Sequence, residues 1–381
     1  MPKRVLILGA TGSVGRSALE VAATLAHEIT IVGLTAGSDA ATLAELAHRF
    51  SVPAVAIADD SAYDRLRRAV PAGTRVLAGP AGLVELVQTT EADFVLAAIV
   101  GAAGLPATLA AVAQGRVVGL ANKESLVIAG ALLMPLAAAR GATLIPVDSE
   151  HSAIFQALHA GRREDVRRVI LTASGGPFRS WPAERIAEAT LAEALRHPTW
   201  NMGPKITIDS ATMVNKALEI IEAHWLFGLP PEQIDVLIHP ESIVHSLVEF
   251  QDGSLIAQLG APDMKTPIQY ALTYPRRVPG IADRLDWRQV GCLRFELPDP
   301  ARFPALELGY AAARRGGCCG AVLNAANEAA VAHFRNGRIP FGRIVRLTEQ
   351  VLARHTDVAN PDLGDLLAAD RWAREEVERC L

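Results

Sequence analysis

The stretch Arg4-Val5-Leu6-Ile7-Leu8-Gly9-Ala10-Thr11-Gly12-Ser13-Val14-Gly15 decides the fold. Arg4–Leu8 is a short apolar run that reads as a strand opening the chain. Gly9, Gly12 and Gly15 follow as a GxxGxxG loop, and amphipathic helical sequence comes next. Such glycines permit a tight turn and close approach of backbone to a pyrophosphate. The N-terminus of the following helix favours the negative charge.

The same alternation runs to about residue 147. Strand sequence is read at Arg4–Leu8, Thr30–Thr35, Ala54–Ala58, Arg75–Ala78, Phe94–Val100, Val117–Leu120 and Thr143–Val147. Several of these runs are apolar almost throughout, as parallel strands buried on both faces are. Helical stretches such as Ser17–Leu25 and Ala40–His48 lie between them. The pattern is that of a Rossmann-like, doubly wound α/β domain over residues 1–147. The GxxGxxG spacing is a variant found in NADP-linked folds. The second strand closes on Thr35-Ala36-Gly37-Ser38-Asp39, where such domains read the adenosine ribose. Asp39 either accepts a hydrogen bond from a 2′-hydroxyl or caps the helix from Ala40. A 2′-phosphate beside it needs compensation from Ser38, backbone N–H groups or a nearby Arg.

Composition narrows the class. Half of the 381 residues are hydrophobic and a fifth are charged, which fits a globular protein with a large core. A net charge of −4 gives nucleic acid no basic surface. Cys292, Cys318, Cys319 and Cys380 show no paired CxxC spacing, so zinc is not expected, and the chain reads as reduced and cytoplasmic. The start, Met1-Pro2-Lys3-Arg4, has no signal-peptide pattern. Phe94 to Ala113 is uncharged for about the length of a membrane span, but Gly101, Gly104 and Pro106 divide it, and no membrane partner is expected.

The texture changes at residue 148. Residues 148–273 carry a strand at Arg168–Leu171, a polar turn at Ser174-Gly175-Gly176-Pro177, and a helix expected to open at Asp209-Ser210. Two alternating strands, Ile243–Phe250 and Ser254–Leu259, flank the hairpin signal Gln251-Asp252-Gly253. This is a central α+β domain. Residues 274–299, with Pro275, Pro279 and Pro298, read as a linker, and residues 300–381 as a C-terminal helical bundle.

Two clusters carry chemistry. Val147-Asp148-Ser149-Glu150-His151 follows an apolar run. Read as continuing strand, it points Asp148 and Glu150 to one side and Ser149 to the other. Two adjacent carboxylates need a cation or a proton between them, and Mg²⁺ or Mn²⁺ suits hard oxygen ligands. Solvated acids at a strand end are the plainer alternative. The second cluster runs from Asn201 to Glu219. Ser210 is read as a helix N-cap, with Asn215 and Glu219 on one face and Lys216 beside them. Such a helix start suits a phosphate. An ordinary helix with a solvated Lys216–Glu219 pair explains the same residues. Trp200, in a loop bounded by Pro198 and Gly203, is either a lid residue or a core anchor.

Further motifs complete the pattern: Leu120-Ala121-Asn122-Lys123-Glu124-Ser125-Leu126, Ile238-His239-Pro240-Glu241-Ser242-Ile243-Val244-His245-Ser246 and Leu323-Asn324-Ala325-Ala326-Asn327-Glu328. With the stretches above, in this order and over essentially the whole length, they make the chain resemble the 1-deoxy-D-xylulose 5-phosphate reductoisomerase family of the non-mevalonate isoprenoid pathway. The resemblance implies a homodimer with an NADPH-binding domain, a catalytic domain and a helical bundle. It implies a divalent metal, Mg²⁺ or Mn²⁺, on Asp148, Glu150 and Glu219, with Lys123 joining them as catalytic residues. Lys123, Ser149, Glu150, Ser174, His197, Trp200, Met202, Ser210, Asn215, Lys216 and Glu219 are implied to meet a sugar phosphate. Among them Ser174, Ser210, Asn215 and Lys216 hold the phosphate, and Trp200 and Met202 belong to a flap. Thr11, Gly12, Ser13, Val14, Gly37, Ser38, Asp39, Asn122, Glu124 and Gly203 are implied to line NADPH. The departure is Ser38-Asp39, where many relatives carry a basic residue or Asn. His239, Glu241 and His245 resemble a metal cluster by type, but alternating polar groups on a strand explain them. Rival readings are another NADP-linked dehydrogenase, which leaves the carboxylates beside a phosphate site unexplained, and a non-catalytic nucleotide sensor.

Overall fold

The computed structural model describes residues 1–200 and 202–381; Asn201 lies outside the described residues. The chain forms two compact units. One comprises residues 1–125, 133–152 and 263–283, the other residues 126–132, 153–262 and 284–381.

The first unit is built on seven strands: β1 (Lys3–Leu8), β2 (Ile29–Ala36), β3 (Ala54–Ile57), β4 (Arg75–Ala78), β5 (Phe94–Ala97), β6 (Val117–Leu120) and β7 (Thr143–Pro146). All neighbours pair in parallel, in the order β4-β3-β2-β1-β5-β6-β7. Every strand expected here from apolar runs forms. Val5 to Leu8 and Phe94 to Leu96 are wholly buried, which is why these segments are apolar on both faces. β5 is shorter than its apolar run. Beyond it, the Asn122 side-chain amide takes the carbonyls of Ile99 and Gly101 and draws the chain out of the ladder. The charge-free stretch from Phe94 thus divides into β5 and the helix Leu105–Ala113. No helix among the described residues is long and apolar enough to cross a membrane. The strand order reverses between β1 and β5, and the crevice outside the carboxyl ends of those two strands is the binding position in such sheets.

The second unit carries a four-stranded mixed sheet: β8 (Val166–Ala173), β9 (Ile234–Ile238), β10 (Val244–Phe250) and β11 (Leu255–Leu259), ordered β11-β10-β8-β9. β10 and β11 form the expected hairpin, and Gly253, at φ 85°, donates its N–H to the Phe250 carbonyl. β9 lies parallel to β8, an element that the sequence reading passed over. Four helices follow: Ala305–Arg315, Cys319–Arg335, Arg343–Arg354 and Leu363–Arg379. The second packs on the third and fourth, and Leu323, Ala326, Leu347 and Val377 of these helices are buried. Cys318 and Cys319 are free, buried thiols in this core.

Candidate active site

In the first unit the glycine loop is shaped by steric necessity. Gly9 has φ 85°, and a Cβ on it would lie 2.6 Å from the Ala98 carbonyl oxygen. A Cβ on Gly15 would overlap the Gly9 carbonyl. Thr35, wholly buried at the end of β2, accepts from Gly9 N–H through Oγ1 at 2.8 Å, and its carbonyl accepts from Ala10 N–H at 2.7 Å. The helix Ser13–Thr24 opens with Gly12 as its cap and no side-chain cap, so its first N–H groups stay available to an anion. Gly12 and Ser13 are exposed, as are Gly37, Ser38 and Asp39 beyond β2. This cradle fits a dinucleotide.

Asp39 caps the helix Ala40–Phe50, accepting from Thr42 N–H at 3.0 Å. Hydrogen bonds from Thr42, and the nearby charges of Arg16 and Arg65, hold its carboxyl below the usual range. Arg65 also reaches the Ser38 carbonyl at 3.5 Å. Asp39 therefore arrives with two cations beside it. Asn122 is buried and caps the helix Lys123–Arg140, accepting from Ser125 N–H at 2.7 Å.

The carboxylate pair converges differently from the strand reading. β7 ends at Pro146, and Ser149–Ala157 is a helix. Asp148 stands just before it: its carbonyl accepts from Ser152 N–H at 2.8 Å, and its Oδ1 from Ser149 N–H at 3.1 Å. Glu150 lies in the first turn. Ser149 does not turn to the opposite face; its hydroxyl donates to Glu150 Oε2 at 2.6 Å. An acid before a helix and another in its first turn also favour the positive end of the helix dipole. Lys123, only 6% exposed, pairs with Asp148 Oδ2 at 2.7 Å. Glu124 is buried beside it in sequence. Asp148 and Glu150 offer the hard oxygen donors that Mg²⁺ or Mn²⁺ takes.

In the second unit the polar cluster condenses around the end of β8. Lys216 and Glu219 are buried, so the solvated-pair reading does not hold. Lys216 Nζ lies 2.5 Å from Glu219 Oε2 and 2.5 Å from the Thr172 carbonyl oxygen. Asn215 Nδ2 donates to Glu219 Oε1 at 2.5 Å. Ser174 Oγ and His197 Nε2 are 3.0 Å apart. A Cβ on Gly176 would lie 2.7 Å from the Ser210 carbonyl oxygen, so the turn after β8 abuts the segment carrying Ser210.

Ser210 is not an N-cap. The helix starts earlier, at Pro204–Thr212, with Gly203 as cap and Pro204 in its first position. A proline whose missing N–H costs nothing there was the signal for that start. Met213, at φ 64°, breaks the helix, and Val214–Phe227 begins a new one. Ser210 thus lies in the last turn of one helix, with Asn215 and Lys216 in the first turn of the next. Asp209, 1% exposed, was not singled out. It pairs with Lys205 at 2.7 Å and accepts from Asn327 Nδ2 at 2.8 Å, which ties this helix to Cys319–Arg335. Trp200 and Met202 are half-buried, and Gly203 is exposed. His239 uses both ring nitrogens structurally: Nδ1 faces the Arg294 carbonyl at 2.8 Å, and Nε2 accepts from Ile243 N–H at 3.2 Å. Glu241 pairs with Arg294 at 2.6 Å.

A glycine cradle at the switch point of a parallel sheet, followed by a second α+β unit, defines a dinucleotide-binding α/β protein. Family models agree with this and go further. The model for 1-deoxy-D-xylulose 5-phosphate reductoisomerase matches residues 5–130, and its C-terminal domain model matches residues 144–227. The DXP reductoisomerase C-terminal domain model matches residues 259–376. The chain is 52% identical to the 1-deoxy-D-xylulose 5-phosphate reductoisomerase of Synechococcus sp. (strain JA-2-3B'a(2-13)), over 98% of this chain and 96% of that protein. It is 50% identical to that of Anaeromyxobacter dehalogenans, over 99% and 97%. The Zymomonas mobilis enzyme solved with NADPH superposes at TM-score 0.94 with 44% identity, covering 100% of this chain and 99% of that one. A DOX-P reductoisomerase solved with NADPH, fosmidomycin and magnesium superposes at 0.91 with 41% identity, covering 99% and 98%. The chain belongs to the 1-deoxy-D-xylulose 5-phosphate reductoisomerase family.

Proposed function

We propose that this chain catalyses the NADPH- and divalent-metal-dependent rearrangement and reduction of 1-deoxy-D-xylulose 5-phosphate to 2-C-methyl-D-erythritol 4-phosphate, in non-mevalonate isoprenoid precursor biosynthesis. The observation that carries the proposal is the family match over residues 5–130, 144–227 and 259–376, which reaches both units. NADPH, seated over Thr11–Val14, Gly37–Asp39, Asn122, Glu124 and Gly203, supplies the hydride. Arg16 and Arg65 offset the charge of Asp39 beside a 2′-phosphate.

Asp148, Glu150 and Glu219 are proposed as the ligands of Mg²⁺ or Mn²⁺, which supplies Lewis-acid stabilisation of developing oxyanion charge. Lys123, paired to Asp148, adds a fixed cation near the same carboxylates. Ser149 holds Glu150 in place through its hydroxyl and contacts the substrate backbone. Ser174, Ser210, Asn215 and Lys216 grip the phosphate, with His197 behind Ser174. That remote binding energy positions the reacting end. Trp200 and Met202 close over the substrate and exclude water.

The decisive assay is NADPH consumption with 1-deoxy-D-xylulose 5-phosphate, with and without Mg²⁺ or Mn²⁺. Metal-dependent turnover supports the reading. NADPH oxidation on a semialdehyde but not on this substrate overturns it. A homodimer accompanies the reading: β11 is an edge strand with Leu255 and Ile256 exposed, an edge that a second copy would cover. Sedimentation of wild type against Ile256→Lys tests it. A cytoplasmic setting is proposed from the free thiols, Cys292 among them exposed, and from the substrate pool.

A further inference from the structure

His197 stands at the root of the segment that carries Trp200, and both of its ring nitrogens are engaged. Nδ1 lies 3.1 Å from Thr199 N and 2.9 Å from Trp200 N. Backbone N–H groups only donate, so Nδ1 is the accepting nitrogen. The proton of the neutral ring therefore sits on Nε2, which donates to Ser174 Oγ at 3.0 Å. Ser174 Oγ accepts a second hydrogen bond, from Gly176 N–H at 3.2 Å. Both acceptor positions of the hydroxyl are then filled, and its own hydrogen is left to donate. A phosphate oxygen is the acceptor that suits it. Gly176, at φ 66° and against the Ser210 carbonyl, is confined to this conformation, which keeps its N–H on Ser174.

We propose that His197 is a positioning residue that couples phosphate capture to the order of the Thr199–Trp200 backbone. One face of a single neutral imidazole presets Ser174 as a donor to phosphate, and the other caps the root of the flap. The proposal rests on the reading above, that Ser174 meets the substrate phosphate. A protonated ring would aim a hydrogen from Nδ1 at two N–H donors, so the joint works only in the neutral form. Burial favours that form, lowering the His197 pKa to about 4.

The two jobs separate by substitution. His197→Asn sets a carbonyl oxygen near the place of Nδ1 and loses the donor to Ser174. His197→Gln sets an amide N–H near the place of Nε2 and loses the cap. Amide hydrogen exchange at Thr199 and Trp200 and steady-state NADPH consumption are measured on both variants and on wild type. His197→Asn is expected to keep slow exchange at both amides while KM for 1-deoxy-D-xylulose 5-phosphate rises roughly tenfold. His197→Gln is expected to exchange faster at both amides and to lose kcat, with KM nearer wild type. Inorganic phosphate is expected to slow exchange at these amides in wild type and not in His197→Asn. No phosphate protection in wild type, or phosphate protection that survives in His197→Asn, would overturn the coupling. A wild type inactive on the sugar phosphate, with the exchange pattern intact, counts against the function and not against the joint.

Discussion

Replacing Glu219 by Gln removes a charge and keeps the shape of the side chain. Glu219 is wholly buried, with Oε2 at 2.5 Å from Lys216 Nζ and Oε1 at 2.5 Å from Asn215 Nδ2. Two costs follow, and they are separable. The first is stability. Removing one partner of a buried ion pair costs about 3–5 kcal/mol when the other is left stranded. Lys216 is not stranded, because the Thr172 carbonyl and a neutral amide oxygen remain to it. The loss should be nearer that of one charged hydrogen bond, about 2 kcal/mol, or roughly 2–3 °C in Tm for a chain of this size. The second cost is catalytic. With one proposed metal ligand neutralised, the barrier should rise by roughly 3 kcal/mol, about a hundredfold or more in rate. Thermal unfolding without metal reads the first cost, and NADPH consumption across a Mg²⁺ or Mn²⁺ titration reads the second. NADPH binding should persist, because the glycine cradle is built within the first unit. Wild-type turnover and metal requirement in Glu219→Gln would remove Glu219 from the ligand set and leave it as the partner of Lys216 alone.

Asp39→Asn should raise the ratio of kcat/KM for NADPH over NADH by several-fold, since Asn still caps the helix but no longer repels a 2′-phosphate. An unchanged ratio means that Asp39 does not sense the ribose. Trp200→Ala should raise KM and slow turnover with little change in ligand-free Tm, and a large loss of Tm would make Trp200 a core anchor instead. The depressed pKa of His197 sets a pH dependence of stability. Between about 4 and 6.5 the unfolded chain binds a proton that the folded chain refuses, so its contribution is present above pH 6.5 and is lost as pH falls toward 4. The fall in Tm from pH 7 to pH 5 should therefore be smaller in His197→Asn than in wild type, and equal falls would refute the neutral, half-buried ring.

The strands and the glycine loop of the first unit were legible because their determinants are local; residues 263–283, which pack into the same unit, were read with the central domain and the linker. A parallel strand buried on both faces must be apolar along its length, and a turn that admits no Cβ must be glycine. Val5–Leu8 and Gly9, Gly12 and Gly15 carry that information wherever the rest of the chain goes. Helix starts were legible only in part: Pro204 marks one whose cap, Gly203, lies seven residues before the Ser210 that the sequence offered as cap. Asp148 and Glu150 were recognised as a pair by type and spacing, but whether they continue a strand or open a helix depends on where β7 leaves its sheet, and single-residue spacing does not say. The remainder was decided by tertiary structure. β9 exists as a strand because β8 lies beside it, far away in sequence. The Lys216–Glu219 pair is the same two residues whether solvated or buried, and only the packing of their helix against the Thr172 carbonyl removes water and makes the charge expensive to lose. Ser174 and His197 are 23 residues apart. Their tautomer and donor roles are set by which backbone N–H groups the fold brings to them, because a hydrogen bond is a relation between positions in space, and sequence alone specifies only the groups that are able to make one.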